Sequence, residues 1–414
     1  MKILAAVLVS AAWLVSTDEA RGGQQPASQQ PQEPEAPQTD LMDLWRTLRK
    51  KPPATNQPDA DRRTDVVVVP VVAAKPTTGF RYGVGATIEF PLGDPRTTHI
   101  SSLNTAVTGS TEQQFGLFVA PTIYGVNRRW QFLGDDHYAM TLVPNAAVGN
   151  GPQPGTDDDI DYESLRFFNT FSWEFASHLY AGVGLYFERQ SDIKAAGDED
   201  SDFATLPFVT YSNANGFNLN TQTAAGLGLV GTFDNRDYPS DPSRGWFVSP
   251  AYKFYVDGFL GGDSRWQRLT LDVRTYYKIR KNIRHKIALW GYADLVTSGT
   301  GPYLSLPMIG GDPRGRSGRG YSQGQFRGER WLYGEMEYRL TLTSNGLLGM
   351  VLFANATTVS NPQADQQLFD AVGPAAGTGL RFRLYKRSRT NVSLDFGWGR
   401  SGSFGVYFGL GEAF

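Results

Sequence analysis

One short stretch of the chain, residues 310–328, concentrates the residue types that could bind anions. It contains seven glycines and four arginines. Guanidinium groups stay charged at physiological pH and match the geometry of carboxylates. Glycine allows a loop to fold back on itself, because it tolerates positive φ and close backbone approach. Composition alone leaves two interpretations open: a loop tucked into the polar lumen of a closed barrel, where its arginines meet anions or water, or an ordinary basic surface loop.

Other residue types that carry chemistry are scattered. The chain has four histidines, which stand in separate turns or at strand ends: His99, His137, His178 and His285. They lack metal-ligand spacing, no Gly-x-Ser-x-Gly elbow occurs, and the serine and histidine pair of an outer-membrane phospholipase is missing. The acidic run 157–161 could bind calcium, but it lacks EF-hand spacing, and a solvated loop is the simpler interpretation. We therefore predict no catalytic residue, no metal site and no cofactor.

The composition excludes several classes of protein. The chain has no cysteine, which removes disulfides, thiol catalysis and lipoprotein anchoring. A net charge of −2 leaves no electrostatic footprint for nucleic acid. Aromatic residues make up 13% of the chain and glycines number 46, a mixture that suits aromatic-rich strands joined by tight turns. Beyond the first twenty residues no apolar stretch of about 20 residues occurs, so a helical membrane protein is excluded.

The elements that must hold the glycine-rich stretch are long runs of alternating polarity. In residues 79–90 and 266–279, large apolar side chains alternate with small, polar and charged ones. Such runs match a bilayer-spanning strand of about 9–11 residues, whereas strands of soluble sandwiches are usually about five or six residues long. Sixteen such segments are predicted, beginning near Gly79, His99, Gln114, Arg128, Tyr138, Ser164, Leu179, Ala224, Trp246, Trp266, Lys286, Arg330, Gly349, Gly373, Asn391 and Ser403. The pattern predicts an all-β fold, a 16-stranded antiparallel transmembrane β-barrel.

The lengths of the connections predict an orientation for this barrel. With the C-terminus on the periplasmic side, three short turns are expected to be periplasmic: residues 109–112, 176–178 and 344–346. The long connections are expected on the outer side: residues 149–163, 190–223, 299–328 and 360–372.

The chain divides into three predicted parts. Residues 1–22 have the charged start, apolar run and small residues of a signal peptide. Residues 23–64 are rich in proline and glutamine and are expected to be disordered, apart from a short amphipathic helix at 40–51. Such a short helix needs a surface, which could be the barrel lumen, the inner leaflet or a partner; the alternative is a transient helix in a disordered tail. Residues 65–414 are predicted to form the transmembrane barrel.

Several short motifs occur in a specific order along the predicted strands. They are Asp234-Asn235-Arg236-Asp237, Pro242-Ser243-Arg244-Gly245, Gly310-Gly311, Arg319-Gly320-Tyr321, Glu337-Tyr338-Arg339 and Gly377-Thr378-Gly379-Leu380-Arg381. With the terminal phenylalanine, this series resembles the bacterial surface antigen outer-membrane barrel family, the superfamily of BamA, TamA and FhaC. The segment before the barrel is far shorter than the POTRA domains that most of the superfamily carries. The chain therefore resembles a member that lacks POTRA domains.

The resemblance implies that residues 310–328 form an inward-folded sixth extracellular loop. The motif placed in the lumen would be Gly310, Gly311, Arg319, Gly320 and Tyr321. In the family the arginine pairs with carboxylates on the inner wall, and strand alternation offers four candidate partners: Glu335, Glu337, Asn355 and Asp395. The family often has aspartate at the position of Asn355, so the counter-charge must come from one of the three carboxylates. Arg316 lies off the motif and is expected to be exposed.

The last strand carries a second implied site. Four residues resemble the signal that the barrel-assembly machinery reads: Gly405, Phe408, Leu410 and Phe414. The large apolar residues of this strand, Phe414 included, are expected to face outward. Gly83 and Gly85 in the first predicted strand weaken strand pairing. The junction between the first and last strands could therefore be a soft seam or a simple closure.

The resemblance also implies a location and a role. It places the chain in the bacterial outer membrane, where it would assist insertion or translocation of a protein or a lipid. The alternative is a passive or gated pore for small solutes. Expected partners are outer-membrane lipids, the barrel-assembly machinery during biogenesis and an unknown client, without nucleic acid.

Overall fold

The computed structural model describes most of the chain. The described residues are 38–50, 64–75, 79–94, 97–144, 148–149, 159–196, 206–238, 241–279, 285–313, 315–362, 365–386 and 389–414. The chain forms two compact units, residues 1–38 and 39–414, and only residue 38 of the first is among the described residues. The predicted signal peptide and most of the proline- and glutamine-rich segment therefore lie outside them.

The second unit is a barrel of sixteen antiparallel strands, each hydrogen-bonded to its neighbours in chain order, with the last strand joined to the first. The strands are β1 Asp65–Lys75, β2 Gly79–Phe90, β3 Ser101–Ser110, β4 Phe115–Tyr124, β5 Trp130–Pro144, β6 Asp159–Ala176, β7 Leu179–Ala196, β8 Thr221–Asp234, β9 Gly245–Tyr255, β10 Trp266–Lys278, β11 His285–Gly299, β12 Arg330–Thr341, β13 Leu348–Ser360, β14 Gly373–Tyr385, β15 Thr390–Trp398 and β16 Phe404–Leu410. The prediction of a 16-stranded antiparallel barrel is confirmed.

The correct strand count came from two errors that cancel. The first strand is β1, which the alternation analysis missed because the inward positions Val67 and Val69 are as apolar as the outward ones. The two segments predicted to begin near Arg128 and Tyr138 are one strand, β5. Its centre, Gly134-Asp135-Asp136, resembles a turn in sequence. In the structure it is a continuous strand, and Asn169 of β6 donates a hydrogen bond to Asp136 at 2.6 Å.

One predicted side of the membrane is corrected as a result. Connections alternate between the two ends of an antiparallel barrel, so the β3–β4 turn lies at the same end as the β11–β12 loop. With the end of the last strand taken as periplasmic, the turn at residues 109–112 therefore lies on the outer side, not on the periplasmic side as expected. The short turns at 176–178 and 344–346 lie at the end where the last strand terminates, as predicted.

Residues alternate between the lipid-facing surface and the lumen along each strand. In β12, Glu335 and Glu337 point into the barrel and are buried, whereas Met336 between them is exposed. This alternation is what places charged residues inside while the outer surface stays apolar. The interior of the protein thus contains charged and polar residues beside two aromatic-rich hydrophobic clusters.

Two α-helices accompany the barrel in the described residues, α1 Leu41–Leu48 and α2 Pro207–Asn215. Neither is long and apolar enough to span a membrane. Helix α2 lies in the β7–β8 connection and packs against the start of the β11–β12 loop. The ring of Phe208 meets that of Tyr303 with centroids 5.6 Å apart, and the Tyr211 hydroxyl donates to the Gly301 carbonyl at 3.0 Å. The β7–β8 connection therefore holds the base of the β11–β12 loop.

Candidate functional site

The β11–β12 loop, residues 300–329, is folded by its own glycines and one aspartate. Asp312 accepts hydrogen bonds from the backbone of Ser317 at 2.9 Å and of Arg316 at 3.0 Å, which closes a tight turn. Gly310 has φ +74 and donates to the Ser317 hydroxyl at 2.9 Å. At Gly311 a Cβ would lie 2.9 Å from the Met308 carbonyl oxygen. These contacts aim the tip of the loop at the lumen wall.

Arg319 lies at this tip and is only 3% exposed. Its guanidinium contacts carboxylates from two strands: Glu335 and Glu337 of β12, and Asp395 of β15 at 2.6 Å. Phe353 of β13 stacks against the opposite face, 3.7 Å from the guanidinium carbon to the ring centroid. We call Arg319, Glu335, Glu337 and Asp395 the Arg319 cluster. All three carboxylates contact the arginine, where sequence reasoning required only one.

Asn355 has a different role from the aspartate of the family pattern. Its side-chain amide donates to the backbone carbonyl of Arg319 at 3.0 Å. It therefore fixes the backbone of the loop tip rather than the charge. A carboxylate at this position could not donate that hydrogen bond while ionised.

The Arg319 cluster is extended by further ion pairs along the wall. Arg339 of β12 contacts Glu337 at 2.6 Å, and Arg381 of β14 contacts Asp395 at 2.5 Å. Glu337 and Asp395 are thus each shared between Arg319 and a second arginine, which joins these ion pairs into one buried network. Such networks are costly to break, because removing one member leaves a buried charge uncompensated.

Gly320 and Tyr321, next to Arg319, join the loop to the end of the barrel near the last strand. A Cβ on Gly320 would lie 2.9 Å from the Ala375 Cβ, and its φ is +108, so both space and backbone favour glycine. The Tyr321 hydroxyl donates to the Pro374 carbonyl at 2.5 Å and accepts from the Arg400 backbone at 3.1 Å. These bonds fasten the tip to β14 and to the β15–β16 turn.

Tyr407 of β16 contributes to the same site and was not singled out from the sequence. Its hydroxyl accepts a hydrogen bond from the Gly320 backbone at 2.8 Å and donates to the Tyr321 carbonyl at 3.3 Å. Because the large apolar residues of the last strand are expected to face outward, alternation places Tyr407 on the inward face. This placement is the one feature of the sequence that could have identified it. A phenol facing a glycine-rich lumen loop is a candidate partner for its backbone.

Arg316 is not the exposed residue that the sequence suggested. It is half-buried, and its guanidinium donates to the backbone carbonyls of Glu412 at 2.9 Å and Ala413 at 3.2 Å. Its proximity to the C-terminal tail, residues 411–414, could not be seen from motif spacing. Arg316 thus connects the β11–β12 loop to the end of the chain.

Phe414 also departs from its expected outward position. It is 3% exposed and packs inside the barrel against Trp290, with ring centroids 5.2 Å apart. Gly411 has φ +84, which turns the chain after β16. Arg339 donates to the Phe414 backbone carbonyl at 2.8 Å. The tail therefore enters the lumen instead of continuing the lipid-facing surface.

Glu412 anchors this tail by charge. It accepts from Arg381 at 2.7 Å and from Asn391 at 2.6 Å. Apart from Phe414, the residues of the implied assembly signal lie in β16, where Phe408 and Leu410 are partly exposed. Gly405 faces inward, where a Cβ would lie 2.4 Å from the Tyr407 hydroxyl.

Among the described residues, the junction of β1 and β16, which we call the seam, has a single paired position, Ala74 with Val406. By contrast, β12 and β13 pair along the whole of β12, from Arg330 to Thr341. Within the described part of the chain, the seam thus has the fewest paired positions of any junction in the barrel.

Two cavities remain in the lumen, of about 350 and 520 Å³. The larger is lined by residues of the loop tip and of the last strand, among them Arg316, Arg319 and Tyr407. No group of histidine and acidic residues suited to a metal ion occurs among the described residues. The chemistry that this site offers is ion pairing and hydrogen bonding between a loop and the strands around it.

Comparisons with known proteins agree with this architecture. A family model described as the Omp85 superfamily domain matches residues 101–414. The fold is similar to BamA from Haemophilus ducreyi lacking POTRA domains 1–3, with a TM-score of 0.56 and 13% identity over 87% of this chain and 74% of that chain. It is also similar to CdiB from Acinetobacter baumannii, with a TM-score of 0.51 and 13% identity over 85% and 60% of the two chains.

CdiB from Escherichia coli gives a TM-score of 0.50 and 11% identity over 85% of this chain and 63% of that chain. The chain thus spans less than two thirds of either CdiB chain. No match was found among curated protein sequences. The family model covers most of the barrel and confirms the resemblance inferred from the motifs. The chain belongs to the Omp85 superfamily and is a bacterial outer-membrane β-barrel.

Proposed function

We propose that this barrel assists the insertion or translocation of a protein or a lipid at the outer membrane, by opening at the seam. The observation that carries the proposal is the single paired position between β1 and β16. Membership in the Omp85 superfamily supports a role in transport or insertion rather than in catalysis.

Within the described residues, the seam leaves most positions of two strand edges outside a regular ladder. β1 has eleven residues and β16 has seven, yet only one position of each is paired across the seam. Lipid tails cannot hydrogen-bond to the backbone groups at such positions, and each unsatisfied group costs several kcal/mol. An unpaired edge is also a template for another strand. A client strand could therefore pair there at little cost to the rest of the barrel.

The loop tip controls how freely β16 moves. Tyr407 ties β16 to Gly320 and Tyr321. The Arg319 cluster ties the same tip to β12 and β15. Opening the seam from the β16 side therefore requires that the hydrogen bonds of Tyr407 break. The Arg319 cluster meanwhile keeps the loop attached to β12 and β15.

A reversible lock tests the proposal. The chain has no cysteine, so Ala74→Cys with Val406→Cys supplies the sole thiol pair, at the paired position of the seam. The purified variant in liposomes is mixed with a urea-unfolded outer-membrane barrel protein as client. Folding of the client is followed by its heat-modifiable gel mobility. We expect acceleration of client folding to be lost on oxidation and restored by reductant.

A matched pair controls for the cross-link itself. Tyr338→Cys with Leu352→Cys joins β12 to β13 at a paired position far from the seam, and its oxidation should leave client folding unchanged. Redistribution of a fluorescent phospholipid between leaflets is measured in the same vesicles to cover a lipid client. If the oxidised seam variant retains both activities, opening at the seam is wrong for this protein.

The lumen cavities favour a second candidate, a pore for small solutes. Conductance in planar bilayers separates the two candidates. A pore should conduct in the oxidised seam variant as well as in the reduced one, and conduct more when residues 310–328 are deleted. If the protein conducts, and if oxidation of the seam variant changes neither client folding nor phospholipid redistribution, the pore is the better candidate.

A further inference from the structure

Helix α1 presents its polar face to the barrel and its apolar face outward. Asp40 caps the helix by accepting from the Asp43 backbone at 2.7 Å, and both aspartates are buried. On the other face Leu44 is 42%, Trp45 51% and Leu48 80% exposed. A helix that packs on a soluble surface buries its apolar stripe. In α1 the arrangement is reversed.

The polar face is fixed to two neighbouring turns. The Thr39 backbone donates to the Asn345 carbonyl in the β12–β13 turn at 3.0 Å. Lys386, in the β14–β15 turn, donates from its backbone to Asp40 at 2.9 Å and from its ammonium to Asp43 at 2.7 Å. Both turns lie at the end where β16 terminates, which is the periplasmic end of an outer-membrane barrel. The helix is therefore held at the periplasmic rim by charge and hydrogen bonds.

An exposed apolar residue of the barrel stands close to one of these turns. Leu342, directly after β12 and three residues before Asn345, is an exposed apolar residue. Arg49 lies over the Trp45 ring at 4.3 Å from its centroid, and Lys50 follows it, so cations border the apolar face. A tryptophan and basic residues beside an apolar stripe are features of helices that lie in a membrane interface.

We propose that α1 lies in the inner leaflet of the outer membrane, with Leu44, Trp45 and Leu48 among the acyl chains and Arg49 and Lys50 at the phosphates. The occupant of this surface is the phospholipid leaflet beside β12 to β14. The helix then anchors the chain that precedes β1 to the side of the barrel. This inference is independent of whether the seam opens.

The test uses spin labels on two neighbouring helix positions. Both are exposed on the surface of the protein, but they lie on different faces of the helix. Leu48→Cys reports the apolar face, and Thr47→Cys is its matched control, since the Thr47 hydroxyl bonds to the Asp43 carbonyl on the polar side. Each labelled protein is placed in vesicles of phosphatidylethanolamine and phosphatidylglycerol. Collision with oxygen, which concentrates in lipid, is compared with collision with a water-soluble nickel chelate.

We expect the label at position 48 to collide at least several-fold more with oxygen than with the chelate, and the label at 47 to show the reverse. Equal access of the chelate to both positions would mean a helix in water and overturn the proposal. Protection of position 48 from both reagents would mean a protein contact and overturn it as well. Oxygen access at position 48 should not change with the protein-to-lipid ratio; a dependence on that ratio would indicate a second copy as the occupant instead.

The fixing of the polar face is tested separately. Lys386→Gln removes the ion pair with Asp43 but leaves the apolar face intact. In this variant position 48 should stay in lipid, while the label at 47 becomes several-fold more mobile. Loss of lipid contact at position 48 in Lys386→Gln would show that the protein, rather than the leaflet, holds the apolar face in place.

Discussion

The lumen wall from β11 to β15 and the seam between β16 and β1 are made of similar strands but held together differently. β11 and β12 pair along most of their lengths, and the wall carries the Arg319 cluster on its inner face. The seam has one paired position among the described residues. The wall thus combines backbone ladders with ion-paired side chains, whereas the described part of the seam has almost no ladder.

This difference indicates where the barrel can change shape. Opening the wall would break a full ladder and leave buried charges uncompensated, each a cost of several kcal/mol. Opening the seam breaks one bridge and the hydrogen bonds of Tyr407 to the loop. The β11–β12 loop contacts both regions, so it links a rigid wall to a weak junction.

The largest effect is expected at Arg319. Arg319→Ala leaves Glu335, Glu337 and Asp395 close together without their shared cation. Removing one partner from a buried ionic group costs about 3–5 kcal/mol, and less where water enters the lumen. The variant should lose heat resistance in detergent and become sensitive to external protease in the loop, measured by thermal melting and limited proteolysis.

Arg330→Ala is the matched control for that variant. Arg330 stands at the start of β12 and is exposed. Exposed charges contribute about 0–1 kcal/mol, so this variant should melt close to the wild type. If Arg319→Ala and Arg330→Ala behave alike, the rigid wall does not depend on the Arg319 cluster.

An intermediate effect is expected at Arg316. Arg316→Ala removes two hydrogen bonds from a charged donor to the carbonyls of the tail. Each such bond contributes about 1.5–3 kcal/mol when buried, and less here because Arg316 is half-buried. The Arg319 cluster stays intact, so the loop should remain protected from protease. The tail should instead become accessible: carboxypeptidase should remove Phe414 faster than in wild type or Arg330→Ala, as measured by mass spectrometry. Unchanged trimming would contradict the link between loop and tail.

How far the sequence predicts this structure depends on the range of the interaction. Alternation within a strand identified the lumen face, and so placed Glu335, Glu337 and Asp395 correctly on the inner wall. Alternation fails where both faces are apolar, as in β1, or where a polar pair crosses strands, as at Asp136 and Asn169 in the β5–β6 ladder. It cannot find contacts set by the path of a loop or a tail.

Arg316 and Phe414 illustrate that limit. Their partners lie several strands away in the sequence. The turn at Gly411, which brings the tail inward, comes after the alternating pattern of β16 has ended. The family motifs include the residues of the loop tip and the terminal phenylalanine, but they do not indicate that the tail turns into the lumen. Only the folded chain shows that the tip, the tail and β16 meet in one place.

A smaller effect is expected at Tyr407, on the seam side of the comparison. Tyr407→Phe keeps the ring but removes the hydroxyl that bonds to Gly320 and Tyr321. A neutral hydrogen bond contributes about 0.5–1.5 kcal/mol, so melting should change little. Amide hydrogen exchange in residues 404–410 should nevertheless rise, because β16 has lost its tie to the loop.

Tyr277→Phe provides the control for Tyr407→Phe, since Tyr277 is an exposed residue on β10. It should leave exchange in β16 unchanged. Equal exchange in both variants would show that the loop does not restrain the last strand. A rise in β12 as well as in β16 would show that the hydroxyl supports the wall too, and the distinction between wall and seam would weaken.

The smallest effect is expected at Asp237 in the β8–β9 turn, a residue that belongs neither to the Arg319 cluster nor to the seam. The Asp237 carboxylate accepts from the backbones of Tyr238 at 3.0 Å, Ser243 at 2.8 Å and Arg244 at 3.3 Å, and from the Ser243 hydroxyl. Burial acts to raise the pKa of Asp237, but these hydrogen bonds outweigh it and hold the pKa below its ordinary value of 3.8. The ionised carboxylate therefore stabilises the turn.

Because the folded pKa is depressed, this stabilisation is present above the unfolded pKa and is lost as the pH falls through the folded one. Asp237→Asn should lower the melting temperature at pH 7, with a loss of about 1 kcal/mol in the free energy of unfolding. The loss is limited because the amide keeps one acceptor oxygen. The gap should close progressively below about pH 4. Asp257→Asn, at an exposed position in the β9–β10 loop, should match the wild type throughout. A stability difference that persists unchanged to pH 3 would mean that the shape of the side chain, and not its charge, stabilises this turn. A difference that closes would show that the ionised Asp237 carboxylate stabilises the turn, as the three carboxylates of the Arg319 cluster are expected to stabilise the loop tip.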